Sequence, residues 1–163
     1  AGIMIDTNNF LTKAGVRTFE AAAYLRRCGA DITRIRKYFR GDMEDFKTKA
    51  DAISKTEILL NHFAISICAS SGAESPTILA AQVANELLNI NNIKATFVLT
   101  DFNNKIYISA RSIDEVNVQI IMEKLGGGGH LSVAGAQLTD VTIDEAVEKL
   151  KATLLKMREE GEL

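Results

Sequence analysis

Apolar residues follow two different patterns along the chain, and the change near residue 62 divides it into two parts. In the first part, helical spacing predicts helices over 18–28, from Asp31 to before Gly41, and over 42–60. The predicted inner face of the helix over 42–60 consists of Met43, Phe46, Ala50, Ile53 and Leu60. The short apolar run over 1–5 ends at polar residues and therefore predicts a buried strand.

The second part alternates between strand and helix patterns. Alternating or β-branched runs predict four strands, over 64–69, 95–102, 105–110 and 136–139. Helical periods predict helices over 76–88, over about 114–125, and from a capping box at Thr142 onward. Asn103 and Asn104 join two of the strands and tolerate the positive φ of a tight hairpin. We therefore predict an α/β fold in which helices flank a mixed β-sheet.

Composition and charge narrow the classes of function. The 163 residues are enough for one compact domain with a tail from a neighbour, and they are 47% apolar and 25% charged. A net charge of -2 argues against a non-specific nucleic-acid binder, which needs an excess of Lys and Arg. Cys28 and Cys68 lie too far apart for a disulfide framework or zinc motif, so a reducing cytosol fits best. No apolar run approaches the roughly 20 residues that span a bilayer.

Four consecutive glycines form the most informative segment. Gly126–Gly129 precede His130, and a run of mostly small residues follows over 132–136. A fold tolerates such glycines where the backbone needs unusual φ/ψ angles or a close approach. Consecutive unobstructed N–H groups form a concavity that binds anions, and His130 adds a donor at its rim. The alternative is a flexible surface loop after a helix, and we favour the anion site because a His and small residues follow the glycines.

Ser109, Arg111 and Ser112 end a predicted strand. Ser109 and Arg111 are two positions apart, so they project from the same face. A hydroxyl beside a guanidinium suits a phosphate, which the guanidinium can bind with two hydrogen bonds. An ordinary Arg paired with a surface carboxylate is an equally good interpretation. Asp6 follows the first predicted strand, a common active-site position, although an Asp that stabilises a turn gives the same pattern.

These segments resemble the DHH phosphoesterase superfamily and its DHH-associated type-1 domain. The similar segments are Ile108–Ser112, Asn117–Gln119 and Gly126–Ala136, and the opening residues 1–10 resemble the end of a DHH catalytic domain. Among subfamilies, the chain is most similar to membrane-anchored bacterial cyclic-di-AMP phosphodiesterases. The resemblance implies hydrolysis of cyclic-di-AMP to linear pApA by an enzyme with two manganese ions.

The resemblance also assigns roles to residues. Asp6 is a metal ligand, and the substrate lies in a cleft that faces it. The residues that hold the substrate are Ser109, Arg111, Ser112, Gly126, Gly127, Gly128, Gly129 and His130. The other metal ligands of the superfamily have no counterpart in the sequence, so we expect this chain to be inactive by itself and to lack tightly bound manganese. Expected partners are a cyclic dinucleotide or short oligonucleotide, a missing N-terminal catalytic domain, and a second copy in a homodimer.

The same resemblance gives domain boundaries. Residues 1–41 are the tail of the catalytic domain, residues 42–61 a linker helix, and residues 62–163 the DHH-associated substrate-binding domain. Because the chain opens without Met, we interpret it as a cytoplasmic part cut from a longer, membrane-anchored protein, with Ile3–Ile5 and Ala21–Leu25 exposed. Two alternatives stay open: a short-oligoribonucleotide nuclease or phosphoadenosine phosphatase of the same superfamily, and a non-catalytic nucleic-acid-binding module.

Overall fold

The computed structural model describes residues 1–70, 75–113 and 115–163, and it confirms the predicted α/β fold with a mixed sheet. The chain forms two compact units, Ala1–Gly41 and Asp42–Leu163. The functional assignment of the three segments 1–41, 42–61 and 62–163 stays a prediction. No helix among the described residues is both long enough and apolar enough to cross a membrane.

The first unit contains three helices: α1 (Gly2–Asp6), α2 (Val16–Arg27) and α3 (Ile32–Tyr38). The prediction of a strand over 1–5 is wrong, since these residues form α1. A strand needs a neighbour for its backbone hydrogen bonds, and unit 1, which the structure describes in full, contains no other strand. The backbone therefore closes its hydrogen bonds locally, for example from the Ile5 N–H to the Ala1 carbonyl at 3.2 Å.

The first unit has almost no core of its own. Among its 41 described residues only Thr7 is buried, and its hydroxyl donates to the Ile3 carbonyl at 2.6 Å. Of the segments expected to be exposed, Ile5, Tyr24 and Leu25 are exposed and Ile3, Met4 and Ala22 are half-buried, so the expectation is confirmed in part. Small exposed contacts, such as the stack of Phe10 on Phe19, hold the unit together.

The second unit begins with α4 (Met43–Ser54), which Asp42 caps as predicted by accepting from the Asp45 N–H at 2.8 Å. The helix stops before the predicted residue 60, because residues 57–59 join the sheet. Its predicted apolar face is wrong. The buried side chain is Ala52, whose carbonyl accepts from the Ser66 hydroxyl at 2.7 Å, and the helix approaches the sheet closely through this small residue. The predicted face residues within the helix, Met43, Phe46, Ala50 and Ile53, are exposed.

A six-stranded sheet forms the centre of the second unit. Its strands are β1 (Glu57–Leu59), β2 (Phe63–Ile67), β3 (Ala95–Phe102), β4 (Lys105–Ser112), β5 (Gly128–His130) and β6 (Val133–Thr139). They lie in the order β1-β2-β3-β4-β6-β5, and only the β2–β3 pair is parallel among the described strands. The four predicted strands are confirmed, and β1 and β5 were not predicted. Asn103 and Asn104 have φ of 52° and 59°, which confirms the tight hairpin between β3 and β4.

Helices cover both faces of the sheet. They are α5 (Pro76–Leu87), α6 (Val118–Lys124) and α7 (Ile143–Glu159). Ser75 precedes α5 as predicted, but its side chain makes no capping hydrogen bond. The predicted start of α6 at Asp114 lies outside the described residues, and Asn117 caps the observed helix. The capping box of α7 between Thr142 and Glu145 is confirmed.

Two apolar clusters lie on opposite faces of the sheet. The larger is centred on Phe97 and Leu99 and packs against α6 and α7. The smaller contains Val98 and packs against α5 together with Ala52 of α4. Successive residues of β3 therefore serve different cores, which explains why its apolar run is nearly continuous.

The difference between the two units can be tested with two Phe to Ala changes. Phe97 is completely buried and contacts the Phe63 ring edge to face, so Phe97→Ala should destabilise the second unit by about 3–5 kcal/mol. Phe39, 45% exposed in the first unit, is the control, and Phe39→Ala should change stability by less than about 0.5 kcal/mol. Urea unfolding followed by circular dichroism measures both values. Equal losses would contradict the placement of the core.

Candidate functional site

The alternation of β4 creates the candidate site. Ile106, Ile108 and Ala110 point into the larger core. Tyr107, Ser109 and Arg111 are half-buried and project from the other face, because successive side chains of a strand point to opposite sides. The expectation that Ser109 and Arg111 share a face is therefore confirmed.

The register of the sheet extends this face to β6 and β5. Directly paired residues of antiparallel strands project to the same side, so each pair forms a row across the sheet. The rows on this face are Arg111–Val133–His130, Ser109–Gly135–Gly128 and Tyr107–Gln137. Arg111 and His130 consequently lie on one face of one domain, as expected from the sequence.

Helix α5 covers only part of this face. It packs on β3 and on part of β4 through residues such as Val83, Ala84 and Val98, whereas α4 lies against β2. The remaining part is an open groove of about 600 Å³. Its lining residues are Thr77, Tyr107, Ile108, Ser109, Gly126, Gly127, Gly128, Gly135, Ala136 and Gln137.

The four glycine positions differ in the structural constraint that each places on its residue. Gly126 and Gly129 have φ of 80° and 150°, angles that other residues rarely adopt. Gly127 packs tightly on β6, where a Cβ would overlap the Gly135 carbonyl oxygen and lie 2.6 Å from the Cα of Ala136. Gly128 has neither constraint, because its φ is ordinary and no atom lies within 4 Å of a Cβ built there. Gly128 and Gly135 therefore leave the floor of the groove as bare backbone.

The glycines do not form a row of four free N–H groups, and that part of the sequence interpretation is wrong. The Gly126 N–H donates to the Glu123 carbonyl at 3.0 Å, and the Gly127 N–H donates to the Met122 carbonyl at 2.8 Å. This pattern is a Schellman motif that ends α6, and it occupies the first two donors. Gly128, Gly129 and His130 pair with β6. The glycines therefore do not present four free N–H groups in a row, and their lack of side chains shapes the groove.

Arg111 supplies positive charge at one end of the face. Its Nη1 donates to the Ala110 carbonyl at 2.8 Å. Burial lowers the pKa of the Arg111 guanidinium from its ordinary value, because water hydrates the cation less well there. The group stays protonated at neutral pH. Ion pairs among the described residues all involve lysines, so none of them neutralises Arg111.

A helix end adds to the positive potential at the groove. Thr77 lies in the first turn of α5, a helix of 12 residues, and lines the groove. The N-terminus of a helix carries a partial positive charge, which favours nearby anions. With Arg111 and His130 on the same face, the groove favours a negatively charged ligand.

Ser112 does not belong to this site. It is buried, lies on the opposite side of β4 from Ser109 and Arg111, and donates from its hydroxyl to the Leu131 carbonyl at 3.3 Å. Its role is therefore structural, as it ties the end of β4 to the turn between β5 and β6. Side chains alternate along a strand, so the pattern that places Ser109 and Arg111 on one face also places Ser112 on the opposite face.

Asp6 lies in the first unit, at the exposed end of α1 and not at a strand end. The next residues include Asn8, Asn9 and Phe10, with φ of 44°, 57° and 69°. No group of three His, Cys, Asp or Glu side chains among the described residues could hold a metal ion. Hard divalent cations need several oxygen ligands, so these residues do not fit a two-manganese site. A metal role for Asp6, and a cleft between it and the groove, stay predictions.

Three lining residues with polar side chains were not predicted from the sequence: Thr77, Tyr107 and Gln137. The alternation of β4 could have found Tyr107, which is two positions from Ser109. Gln137 depends on the pairing of β4 with β6, and Thr77 depends on the packing of α5. Neither contact leaves a local signal in the sequence.

The chain is similar to bacterial phosphodiesterases over most of its length. The profile of the DHHA1 domain matches residues 61–156. Cyclic-di-AMP phosphodiesterase PdeA of Listeria monocytogenes is 44% identical over 92% of this chain and 23% of the relative. Cyclic-di-AMP phosphodiesterase GdpP of Bacillus subtilis is 39% identical over 99% of this chain and 25% of the relative. The chain thus spans about a quarter of the length of these curated relatives.

A solved structure shares the fold. An exopolyphosphatase-related protein from Bacteroides fragilis matches with a TM-score of 0.83 and 20% identity. The match covers 95% of this chain and 48% of that protein. At this identity, the similarity supports the fold alone.

The different constraints on neighbouring glycines predict opposite results for two Ala substitutions. Gly127→Ala should destabilise the second unit by about 1–3 kcal/mol, because the new methyl group overlaps β6. Gly128→Ala, the matched control, should change stability by less than about 0.5 kcal/mol, because its methyl group enters open space. Urea midpoints measure both effects. A stable Gly127→Ala protein would show that the turn does not pack on β6 as described.

Proposed function

We propose that this chain, which belongs to the DHHA1 domain family, is the substrate-binding part of a phosphodiesterase that hydrolyses cyclic-di-AMP to linear pApA. The observation that carries the proposal is the groove beside α5, on the face of the sheet opposite the larger core. Its floor is bare backbone at Gly128 and Gly135, and Arg111 lies on the same face without an ion-pair partner among the described residues. The relatives PdeA and GdpP are named cyclic-di-AMP phosphodiesterases, which supports cyclic-di-AMP as the substrate.

The groove fits a phosphodiester better than an uncharged ligand. The guanidinium of Arg111 can donate two parallel hydrogen bonds to a phosphate, and the Ser109 hydroxyl lies one row away on the same strand. An anion can approach the backbone at Gly128 and Gly135, because no Cβ stands in the way. Desolvation of Arg111 strengthens its attraction for the ligand, because the local dielectric constant is lower than that of water. The chain thus binds and orients the phosphate.

Manganese belongs to the proposal as a cofactor of the intact enzyme. Two ions would activate water and offset the charge that develops on the phosphate. The described residues do not supply the ligands, so Asp6 would contribute one ligand and residues outside this chain the others. The proposed partners are therefore a catalytic domain and the cyclic dinucleotide. A membrane anchor would belong to the parent protein.

A short-oligoribonucleotide nuclease or phosphoadenosine phosphatase is the second candidate, because a phosphate-binding groove serves either substrate. The intact enzyme should turn over cyclic-di-AMP with a higher kcat/KM than a two-nucleotide RNA. The reverse order would favour the second candidate.

Arg111→Ala should weaken binding of cyclic-di-AMP by about ten- to a hundredfold, which corresponds to one lost charge-assisted hydrogen bond. Titration calorimetry with the 163-residue chain measures the affinity, and circular dichroism checks that the fold is retained. Lys105→Ala is the control, since Lys105 is a cation on the same strand and face but lies three rows from Arg111. Equal losses in the two variants would mean that overall charge, and not the Arg111 site, attracts the ligand.

The purified 163-residue chain should not convert cyclic-di-AMP to pApA in the presence of manganese, because its described residues lack a metal site. Chromatography of the nucleotides detects any product. Asp6→Asn serves as the control for contaminating nucleases, which the substitution cannot affect. Turnover by the wild-type chain that disappears in Asp6→Asn would overturn the division of roles proposed here.

A further inference from the structure

The groove has two chemically different ends. Tyr107 and Gln137 line one end, and Arg111 and His130 lie in the row just beyond the other end, outside its lining. The rows are separated by that of Ser109, and each row lies about 7 Å from the next. A nucleotide has the same polarity, with a charged phosphate at one end and an uncharged base at the other. A phosphate beside Ser109 and Arg111 would therefore place its base near Tyr107.

Tyr107 offers an aromatic surface at this end. Its half-buried side chain lines the groove, and its ring contacts the Phe102 ring at a centroid distance of 6.5 Å and an angle of 51°. Phe102 lies on the same face of the sheet, so the contact restricts the tyrosine ring from the side. Aromatic side chains held in this way stack on nucleobases of any sequence. Tyr107 alone would thus bind a base without selecting one.

Gln137 can select the base. It is exposed, lines the groove, and lies directly opposite Tyr107 in the β4–β6 register. A glutamine amide pairs with adenine through two hydrogen bonds, since it donates to N7 and accepts from the exocyclic amino group. Guanine presents acceptors at both positions, so the amide oxygen would face another acceptor.

We infer that Tyr107 and Gln137 form a base-binding subsite that prefers adenine over guanine. This inference rests on the proposed function, because it takes the phosphate to bind beside Ser109 and the glycine turn. The subsite uses an uncharged row of the groove, which suits a base better than a second phosphate. On this face of β4, the cation nearest to Tyr107 is Lys105. It lies in the next row, on the side of Tyr107 away from Ser109.

Amide NMR spectra of the 163-residue chain test the inference with four probes: AMP, GMP, ribose phosphate and inorganic phosphate. All four should shift the amide signals of Ser109 and of Gly126–Gly128. Only AMP should also produce large shifts of the Gln137 side-chain amide. The dissociation constants should increase in the order AMP, GMP, ribose phosphate. Titration to millimolar concentrations detects weak binding.

Three variants separate stacking from base selection. Gln137→Ala should weaken AMP binding by about 5- to 150-fold and leave GMP binding nearly unchanged. Tyr107→Ala should weaken AMP and GMP to a similar extent, whereas Tyr107→Phe should retain both. Gln82→Ala is the matched control, since Gln82 is an exposed glutamine on α5 whose side chain accepts from Lys49 and does not line the groove.

The possible results distinguish the subsite from the proposed function. If the glycine and Ser109 amides respond to none of the probes, the substrate groove is wrong and the subsite is wrong with it. If they respond to phosphate but AMP and GMP bind equally, or Gln137→Ala leaves their ratio unchanged, only the adenine subsite is overturned. A preference for AMP that disappears in Gln137→Ala and persists in Gln82→Ala supports the inference.

Discussion

The groove depends on the close approach of the glycine turn to β6. Gly127 packs against Gly135 and Ala136, and Gly129 leaves room for the Cα of Ala134, which would lie 2.5 Å from a Cβ. Without side chains at these two positions, the turn after α6 lies against β6 and continues directly into β5. The sheet thereby gains an edge strand that ends at His130. The same glycines that allow this packing keep side chains out of the groove, so one constraint serves both fold and site.

One face of the sheet packs against the larger core. The other face is shared between the smaller core and the groove. On one face, Ile106, Ile108 and Ala110 join the larger core, and this buried surface fixes the register of β4. A slip of one residue would turn Ser109 and Arg111 into that core, at a large cost in burying a charge. On the other face, α4 lies against β2 and α5 packs on β3 and part of β4, and the groove opens beside Thr77 over β4, β6 and the glycine turn. The hydrophobic core therefore also determines where the polar residues of the site lie.

Local patterns predicted the parts of the structure that local interactions determine. The hairpin at Asn103 and Asn104, the capping box at Thr142 and the shared face of Ser109 and Arg111 need only neighbouring residues. The failures at residues 1–5 and in α4 involve partners distant in sequence. Residues 1–5 have the composition of a strand but no strand beside them, and α4 turns Ala52 inward because the sheet surface admits only a small residue. The pairing of Gln137 with Tyr107 follows from the order of β4 and β6, which no local pattern encodes.

Arg111 connects the site to the stability of the domain. Its side chain is half-buried, which lowers the pKa of the guanidinium, and no ion pair among the described residues offsets the lost hydration. An anion bound beside Arg111, as proposed, would offset part of this loss. A ligand that binds the folded chain but not the unfolded chain adds stability that grows with the logarithm of its concentration. The gain is about 2.7 kcal/mol when the ligand concentration is a hundred times Kd. Selection for substrate binding would thus preserve a half-buried charge that selection for stability alone would remove.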